Sequence, residues 1–236
     1  VREENAPREN ADTLTFRLEP TGEVNDHWNV HARLDAKNNM KTDTSTQVVL
    51  KRAWAQGNYD NFTVKFGKME LASAEGYTGA GNLVLDREFS GAEVEFGKDL
   101  KAKLQAGQTN LEYTFNSNAR KDLDSKDAAN YQGLELLYTT GKLTAGAGYH
   151  HLNSGYFKDI AGYSKSGSTD NASIWTVGGS YAFDKNISIN GAYAENSEAD
   201  IYDKAGNIAL AYKGAKKSKP GSWGLFLGYR HLGANV

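Results

Sequence analysis

The chain has no cysteine, only three prolines and only two methionines among its 236 residues. Without cysteine there are no disulfides, no thiolate metal sites and no cysteine nucleophile. That absence does not fix the compartment, because an oxidising location does not oblige a protein to use disulfides. An excess of one charge sign is also missing: 27 basic residues stand against 29 acidic ones, for a net charge of −2. Such a balance gives no electrostatic footprint for nucleic acid. No run approaches the ~20 apolar residues of a membrane helix. Nor does any segment carry the 3.6-residue periodicity of a long amphipathic helix. The opening VREENAPREN is polar and has no apolar core of a signal peptide, as expected of a mature or truncated chain.

What is present is glycine (25), tyrosine (13), phenylalanine (9) and tryptophan (4), arranged with period two. Leu14, Phe16 and Leu18 alternate with Thr15, Arg17 and Glu19, and Trp28, Val30, Ala32 and Leu34 alternate with Asn29, His31, Arg33 and Asp35. The same pattern recurs at Phe62–Phe66, Leu134–Tyr138, Leu143–Tyr149, Trp175–Phe183, Ile187–Tyr193, Ile208–Tyr212 and Trp223–Tyr229. Alternation of this kind predicts β-strands with two unlike faces, about 12 or 13 of them. VVLKRAWAQG, residues 48–57, is less regular, and its facing does not follow from pattern alone.

The stretch VEFGKDLKAKLQAG, residues 94–107, shows the two faces most clearly. Val94, Phe96, Leu100, Ala102, Leu104 and Ala106 fall on one face; Glu93, Glu95, Lys101, Lys103 and Gln105 fall on the other. A turn at 97–99 is expected to set Glu95 opposite Lys101 and Glu93 opposite Lys103, cross-strand pairs worth roughly 0.2–1 kcal/mol each.

Connections sort into two kinds. Tight turns are expected near 24–26, 57–61, 97–99, 139–142 and 184–186, with longer polar loops at 38–46, 69–82, 110–128, 153–172 and 195–204. The connection at 214–221, GAKKSKPG, is long for its side. Regular alternation of short and long connections is the habit of outer-membrane barrels. Trp28, Phe62, Phe96, Tyr138, Phe183 and Trp223 lie close to the short turns, and Tyr149, Tyr193 and Tyr229 near the opposite strand ends. Two aromatic belts around an aliphatic and Ala/Gly band form the girdle of a barrel in a bilayer. A mean hydropathy of −0.63 is compatible, since only alternate residues of each strand meet lipid. The predicted fold is therefore all-β, an antiparallel up-and-down transmembrane β-barrel, with residues 1–236 as a single barrel domain. Its charged face lines water, which requires enough strands to leave a lumen.

FRLEPTGEVNDHWNVHARLDA, RAWAQGNYDNFTVKFGKMEL and DREFSGAEVEFGKDLKAKLQAGQTN together resemble the OmpM-type porins, trimeric outer-membrane porins of diderm relatives of Gram-positive bacteria. The likeness covers most of residues 12–150 and continues more loosely through GYRHLG at 228–233. It implies a homotrimer of barrels of about 16 strands, passing small hydrophilic solutes and ions through a water-filled lumen. It also implies an S-layer homology domain and stalk that tether the outer membrane to the cell wall. Neither segment is in this sequence, so tethering is not assigned to these residues; about 12 strands, with VREEN as a candidate remnant of another, fall short of about 16, so the barrel itself is expected to be incomplete. Outer-membrane lipids, sister barrels and, through that separate domain, the cell wall are the expected partners.

No competing chemistry emerges. Among the histidines His27, His31, His150, His151 and His231, the first two share a face but lie roughly 13 Å apart at strand rise. His150 and His151 point to opposite faces. HExxH, GxSxG and phosphate-binding glycine loops are missing, so no catalytic, cofactor or metal residue is assigned. DLDSKD at 122–127 reads as a solvated loop rather than a cation site, and NFT, NAS and NIS match glycosylation sequons only by letter. The expected pore-lining residues are Arg17, Arg33, Arg52, Lys65, Arg87, Glu93, Glu95, Lys101 and Lys103, with Arg52 and Arg87 least determined by parity. In porin-like barrels the third long loop commonly narrows the lumen. Here, if the remnant VREEN counts as the first strand, that is MELASAEGYTGAGN, residues 69–82, carrying Glu70, Glu75, Gly76 and Gly79, so that an acidic loop would face a basic wall. Two other functions compete with diffusion: a structural, anchoring or adhesive barrel with a plugged pore, and a soluble β-sandwich that binds carbohydrate.

Overall fold

A computed structural model describes residues 12–71, 83–84, 87–111, 128–160, 162–214 and 218–236. Among these described residues fourteen strands and one short helix follow one another: β1 (Thr13–Leu18), β2 (Thr21–Glu23), β3 (Trp28–Asn39), β4 (Thr44–Ser45), β5 (Val49–Asn58), β6 (Phe62–Leu71), β7 (Arg87–Gly97), β8 (Leu100–Asn110), β9 (Ala128–Thr140), β10 (Leu143–Asn153), α1 (Tyr156–Asp159), β11 (Asn171–Ala182), β12 (Ile187–Asn196), β13 (Lys204–Lys213) and β14 (Gly224–His231). All belong to one sheet. Its order, β1-β3-β5-β6-β7-β8-β9-β10-β11-β12-β13-β14, is an antiparallel meander, with the short β2 and β4 paired to β3. β1 and β14 are the two ends of that order. This is an up-and-down all-β wall, not the two packed sheets of a sandwich. Among the described residues no helix is long and apolar enough to cross a membrane, a statement that leaves β-barrel spans untouched. The expected remnant strand in VREEN lies outside the described residues.

Polarity is inverted relative to a soluble protein. Leu14, Phe16, Val30, Phe66, Leu104, Leu134, Val177, Ile208 and Leu227 are exposed, while Glu93, Lys103, Gln105, Glu135 and His150 are buried. Along β8 and β9 the pairs Leu100↔Tyr138, Ala102↔Leu136 and Leu104↔Leu134 share the apolar face, and Lys103↔Glu135 lies on the other. On β11 the exposed row runs from Phe183 to Trp175, about 27 Å along the strand at the usual rise. Tilted by ~40°, it spans roughly 21 Å, most of the ~25 Å apolar band of an outer-membrane wall.

Two details depart from the sequence reading. The β7–β8 pairs are Glu93↔Gln105, Glu95↔Lys103 and Gly97↔Lys101, so the register is displaced by two residues from the expected one, although Lys101 still reaches Glu95 across the diagonal at 3.1 Å. The cause is Gly97, whose φ of 102° carries β7 one residue further into the turn. A side chain there would collide with the Leu100 carbonyl oxygen, so only glycine permits this offset. In the less regular strand, pairing slips between Arg33 and Leu34, leaving Lys51 as the extra residue opposite them. Such a bulge breaks the period-two pattern locally. It also settles the facing left open by the sequence: Trp54 and Gln56 pair with His31 and Asn29 on the polar face.

Toward the long-loop end the inner face turns apolar. Met69, Leu71, Leu83, Val84, Phe89, Leu111, Tyr131 and Leu152 are buried there, joined by Tyr156, Phe157, Ile160 and Tyr163 from the connection between β10 and β11. Asn196 secures this cap: its Nδ2 donates to Tyr163 Oη (2.9 Å) and to the Asn235 carbonyl (2.8 Å), and its Oδ1 accepts from the Ser173 amide at 3.1 Å. Side-chain amides that serve several backbone groups at once hold irregular segments in one arrangement.

Candidate functional site: the polar inner wall

The inner face between β1 and β9 is a lattice of ion pairs. Arg17 Nε and Arg33 Nη2 both reach Asp35, at 3.0 and 2.8 Å. Arg52 donates to Glu70 (2.8 Å) and to Glu88 (3.3 Å). Lys65 Nζ donates to Glu93 at 2.8 Å, Lys101 Nζ to Glu95 at 3.1 Å, and Lys103 lies 3.7 Å from Glu135. Each of these cations thus has a carboxylate within the wall, and the surface is of mixed sign where a basic one was expected. Glu70 extends from the wall strand β6 and is held by Arg52. Arg87 lies in β7, but its side chain is outside the described residues, as are Glu75, Gly76 and Gly79 of the expected constriction.

At the centre runs a directional chain of hydrogen bonds. Gln105 Nε2 donates to Glu93 (2.7 Å), Tyr131 Oη donates to Gln105 Oε1 (2.9 Å), and Tyr131 Oη lies 2.9 Å from His150 Nδ1. Since the tyrosine proton is committed to Gln105, His150 must donate from Nδ1, which leaves Nε2 as an acceptor in the neutral ring. Glu93 is 3 % exposed and His150 0 %, so the chain is shielded even on a concave surface. Two glycines make room for it. A side chain at Gly133 would run into the Tyr131 hydroxyl, and one at Gly148 would lie 3.1 Å from His150 Nε2 and 2.8 Å from Thr176 Oγ1. Tyr131 and Glu135 do not stand out in the sequence, and Gln105 and His150, named there by facing, are not among the expected pore-lining residues. What parity does not show is the diagonal lean of Tyr131 and His150 over neighbouring glycines.

A small recess of about 110 Å³ opens on this face, lined by Arg52, Trp54, Lys65, Met69, Glu70, Glu93 and Lys103. His31 stacks on Trp54 with ring centroids 4.8 Å apart. Among the described residues no group of three or more metal-ligating side chains converges. His27 lies in the β2–β3 turn against Tyr59, ring to ring at 5.1 Å.

On the outer face, Phe62 pairs with Phe96 and Leu100 with Tyr138 beside the short turns. Trp28 donates its Nε1–H to Tyr59 Oη (3.1 Å), and Phe183 and Trp223 are exposed near the next short connections. Aromatic side chains at both strand ends, Trp175 against Tyr193 at 5.2 Å among them, bound the band.

An up-and-down antiparallel wall with an apolar outside and an ionic inside has the architecture of an integral outer-membrane β-barrel. Comparison with solved structures agrees on the fold. The chain is similar to OmpF of Salmonella typhi, solved in complex with daunomycin, with a TM-score of 0.55 and 14% identity over 86% of this chain and 68% of that one. A mutant of Rh. blastica porin (TM-score 0.45, 13% identity, 94% and 86% covered) is also similar. So is OmpT, an outer membrane protein of Vibrio cholerae, in a loop-deleted form (TM-score 0.44, 14% identity, 92% and 84% covered). No protein-family model and no curated protein sequence matches the chain.

Proposed function

We propose that the protein is a non-enzymatic outer-membrane porin through which small hydrophilic solutes and ions diffuse. The observation that carries this reading is the ionic inner wall, in which Arg17, Arg33, Arg52, Lys65, Glu93, Glu95, Lys101 and Lys103 lie opposite an apolar outer band. Arg17 and Arg33 share one carboxylate, Asp35, and Glu19 lies close enough to act on Arg33 as well, so removing the two cations would leave carboxylates in excess in this part of the lumen. Residues 69–82 are proposed to narrow the pore; the described residues on either side of their undescribed part, Met69, Leu71, Leu83 and Val84, belong to the buried cluster at the long-loop end. In line with the OmpM-type resemblance, the full protein assembles as a trimer and ties the outer membrane to the cell wall through its separate domain. The small outer residues Ala145, Ala147 and Gly179 are the proposed place of close barrel contact.

Single-channel recording of the full-length protein in planar bilayers tests this reading. Discrete, ohmic steps are expected. Neutralising Arg17 and Arg33 together shifts the reversal potential toward cations, and deleting residues 74–81 raises conductance. A second reading, an anchoring barrel with an occluded lumen, is favoured by the near-complete burial of Glu93, Lys103 and His150. Inserted protein with no conductance would support it over diffusion.

A further inference from the structure

The short-turn edge of the wall is divided by charge. From β3 to β8 its described turn residues are Asp26, Asp60 and Asp99 with one cation, Lys98; from β9 to β14 they are Lys142, Lys185, Lys213 and Lys219 with one carboxylate, Asp184. All of these are exposed. Three of the lysines are joined into one rim by backbone contacts between successive hairpins. The Ala182 amide donates to the Lys142 carbonyl (2.9 Å), and Lys142 Nζ donates to the Phe183 carbonyl (2.7 Å). The Lys213 amide donates to the Asn186 carbonyl at 2.6 Å.

Depth is fixed by the aromatic girdle. Lys213 Nζ stands 4.7 Å from the Trp223 ring centroid and 5.3 Å from that of Tyr212, both rings on the lipid side. Interfacial aromatics sit at headgroup level, so this ammonium is placed where phosphate groups lie. Next to it an open cleft of about 590 Å³ is lined by Lys142, Ala182, Asp184, Lys185 and Asn186. The Asp184 carboxylate is engaged elsewhere: it accepts the amides of Asn186 (2.6 Å) and Ile187 (2.9 Å). These amides hold its pKa below the ordinary carboxylate range, so it stays an acceptor for its own turn.

We infer that Lys142, Lys185 and Lys213, with Tyr212 and Trp223, form a binding rim for the phosphate headgroup of an anionic phospholipid in the leaflet at the short-turn edge. The inference rests on the barrel reading above, which places this edge at a membrane surface. Charge complementarity selects the occupant. Three ammonium groups face one committed carboxylate at headgroup depth, and the acidic β3–β8 half of the same edge offers no equivalent. A lipid bound there would bias how the wall is seated in its bilayer.

The test is native mass spectrometry of the full-length protein in mixed micelles containing phosphatidylglycerol or phosphatidylcholine. Wild type is expected to retain phosphatidylglycerol preferentially. The triple variant Lys142→Gln/Lys185→Gln/Lys213→Gln should lose that preference by tenfold or more, given about fivefold per lysine near an anionic surface. Asp60→Asn/Asp99→Asn should leave it unchanged. Equal retention of both lipids by wild type, or full preference in the triple variant, overturns the proposal. Displacement of phosphatidylglycerol by millimolar inorganic phosphate, or lysine-dependent co-sedimentation with purified peptidoglycan in place of lipid selectivity, overturns it as well. Conductance of the wild type separates the two readings: wild-type channels that conduct but show no lipid preference would refute the rim and leave the porin reading standing.

Discussion

Arginine in place of Leu104 is the perturbation whose cost differs most between a membrane wall and any soluble sheet. Leu104 is 49 % exposed. In water, a polar residue at so open a position changes stability by less than about 0.5 kcal/mol. In the wall described here, Leu104 lies midway between Leu100, beside the short turn, and Gln108, the first polar residue on the outer face of β8. Four residues separate it from each, about 13 Å along the strand and roughly 10 Å from either border after tilt. That is the depth at which a lipid-facing arginine costs ~2–4 kcal/mol, a factor of roughly 30 to 1,000 in the folding equilibrium. Gln108→Arg, on the same strand and face but at the interface, should cost only ~0–1 kcal/mol. Reversible denaturant unfolding of each variant in lipid vesicles, followed by tryptophan fluorescence, reads both numbers. Near-equal stabilities for Leu104→Arg and Gln108→Arg would refute the assignment of this face to lipid.

Three further outcomes follow from the geometry. Glu93→Ala removes the acceptor for the buried Gln105 amide and leaves Lys65, 29 % exposed, to be solvated; the unmet buried donor should cost ~1–3 kcal/mol. Vesicle unfolding reads that loss. Gly67, at a φ of 130°, has the Ala53 carbonyl oxygen where a side chain would go. Gly67→Ala should therefore destabilise the β5–β6 hairpin by more than the ~1 kcal/mol typical of a point substitution, seen as faster proteolysis between these strands. Asp184, whose folded pKa is depressed by the Asn186 and Ile187 amides, contributes stability that is complete above its unfolded value near ~4. This is lost as pH falls through the lower folded value. Asp184→Asn should flatten the acid limb of the stability–pH curve, and an unchanged limb would show that the turn makes no such contribution.

The wall was legible in the sequence because period two needs no tertiary information. Leu100, Ala102 and Leu104 against Lys101, Lys103 and Gln105 already states which residues meet lipid. Hairpin offset was not legible, since it depends on the φ of one residue, Gly97, that composition leaves free. Sign balance was lost for a related reason. Arg17 and Arg33 were read as a basic surface, but Asp35 lies on the same face and takes both, a pairing set by register. The packed cap at the long-loop end was hidden more deeply. Asn196 and Tyr163 sit in polar stretches that read as solvated loops, and only their convergence on Asn235 and Asn171 buries them.

Which parity of the wall meets lipid is settled most directly by oxygen accessibility of spin labels. The chain has no native cysteine, so single cysteines from Gln132 to Thr139 in β9 can be labelled one at a time in the full-length, bilayer-reconstituted protein. Oxygen accessibility should oscillate with period two, with maxima at Leu134, Leu136 and Tyr138 and low accessibility to a water-soluble nickel reagent at the same positions. A flat profile, or maxima for the nickel reagent at those three residues, would contradict an apolar outside around an ionic inside.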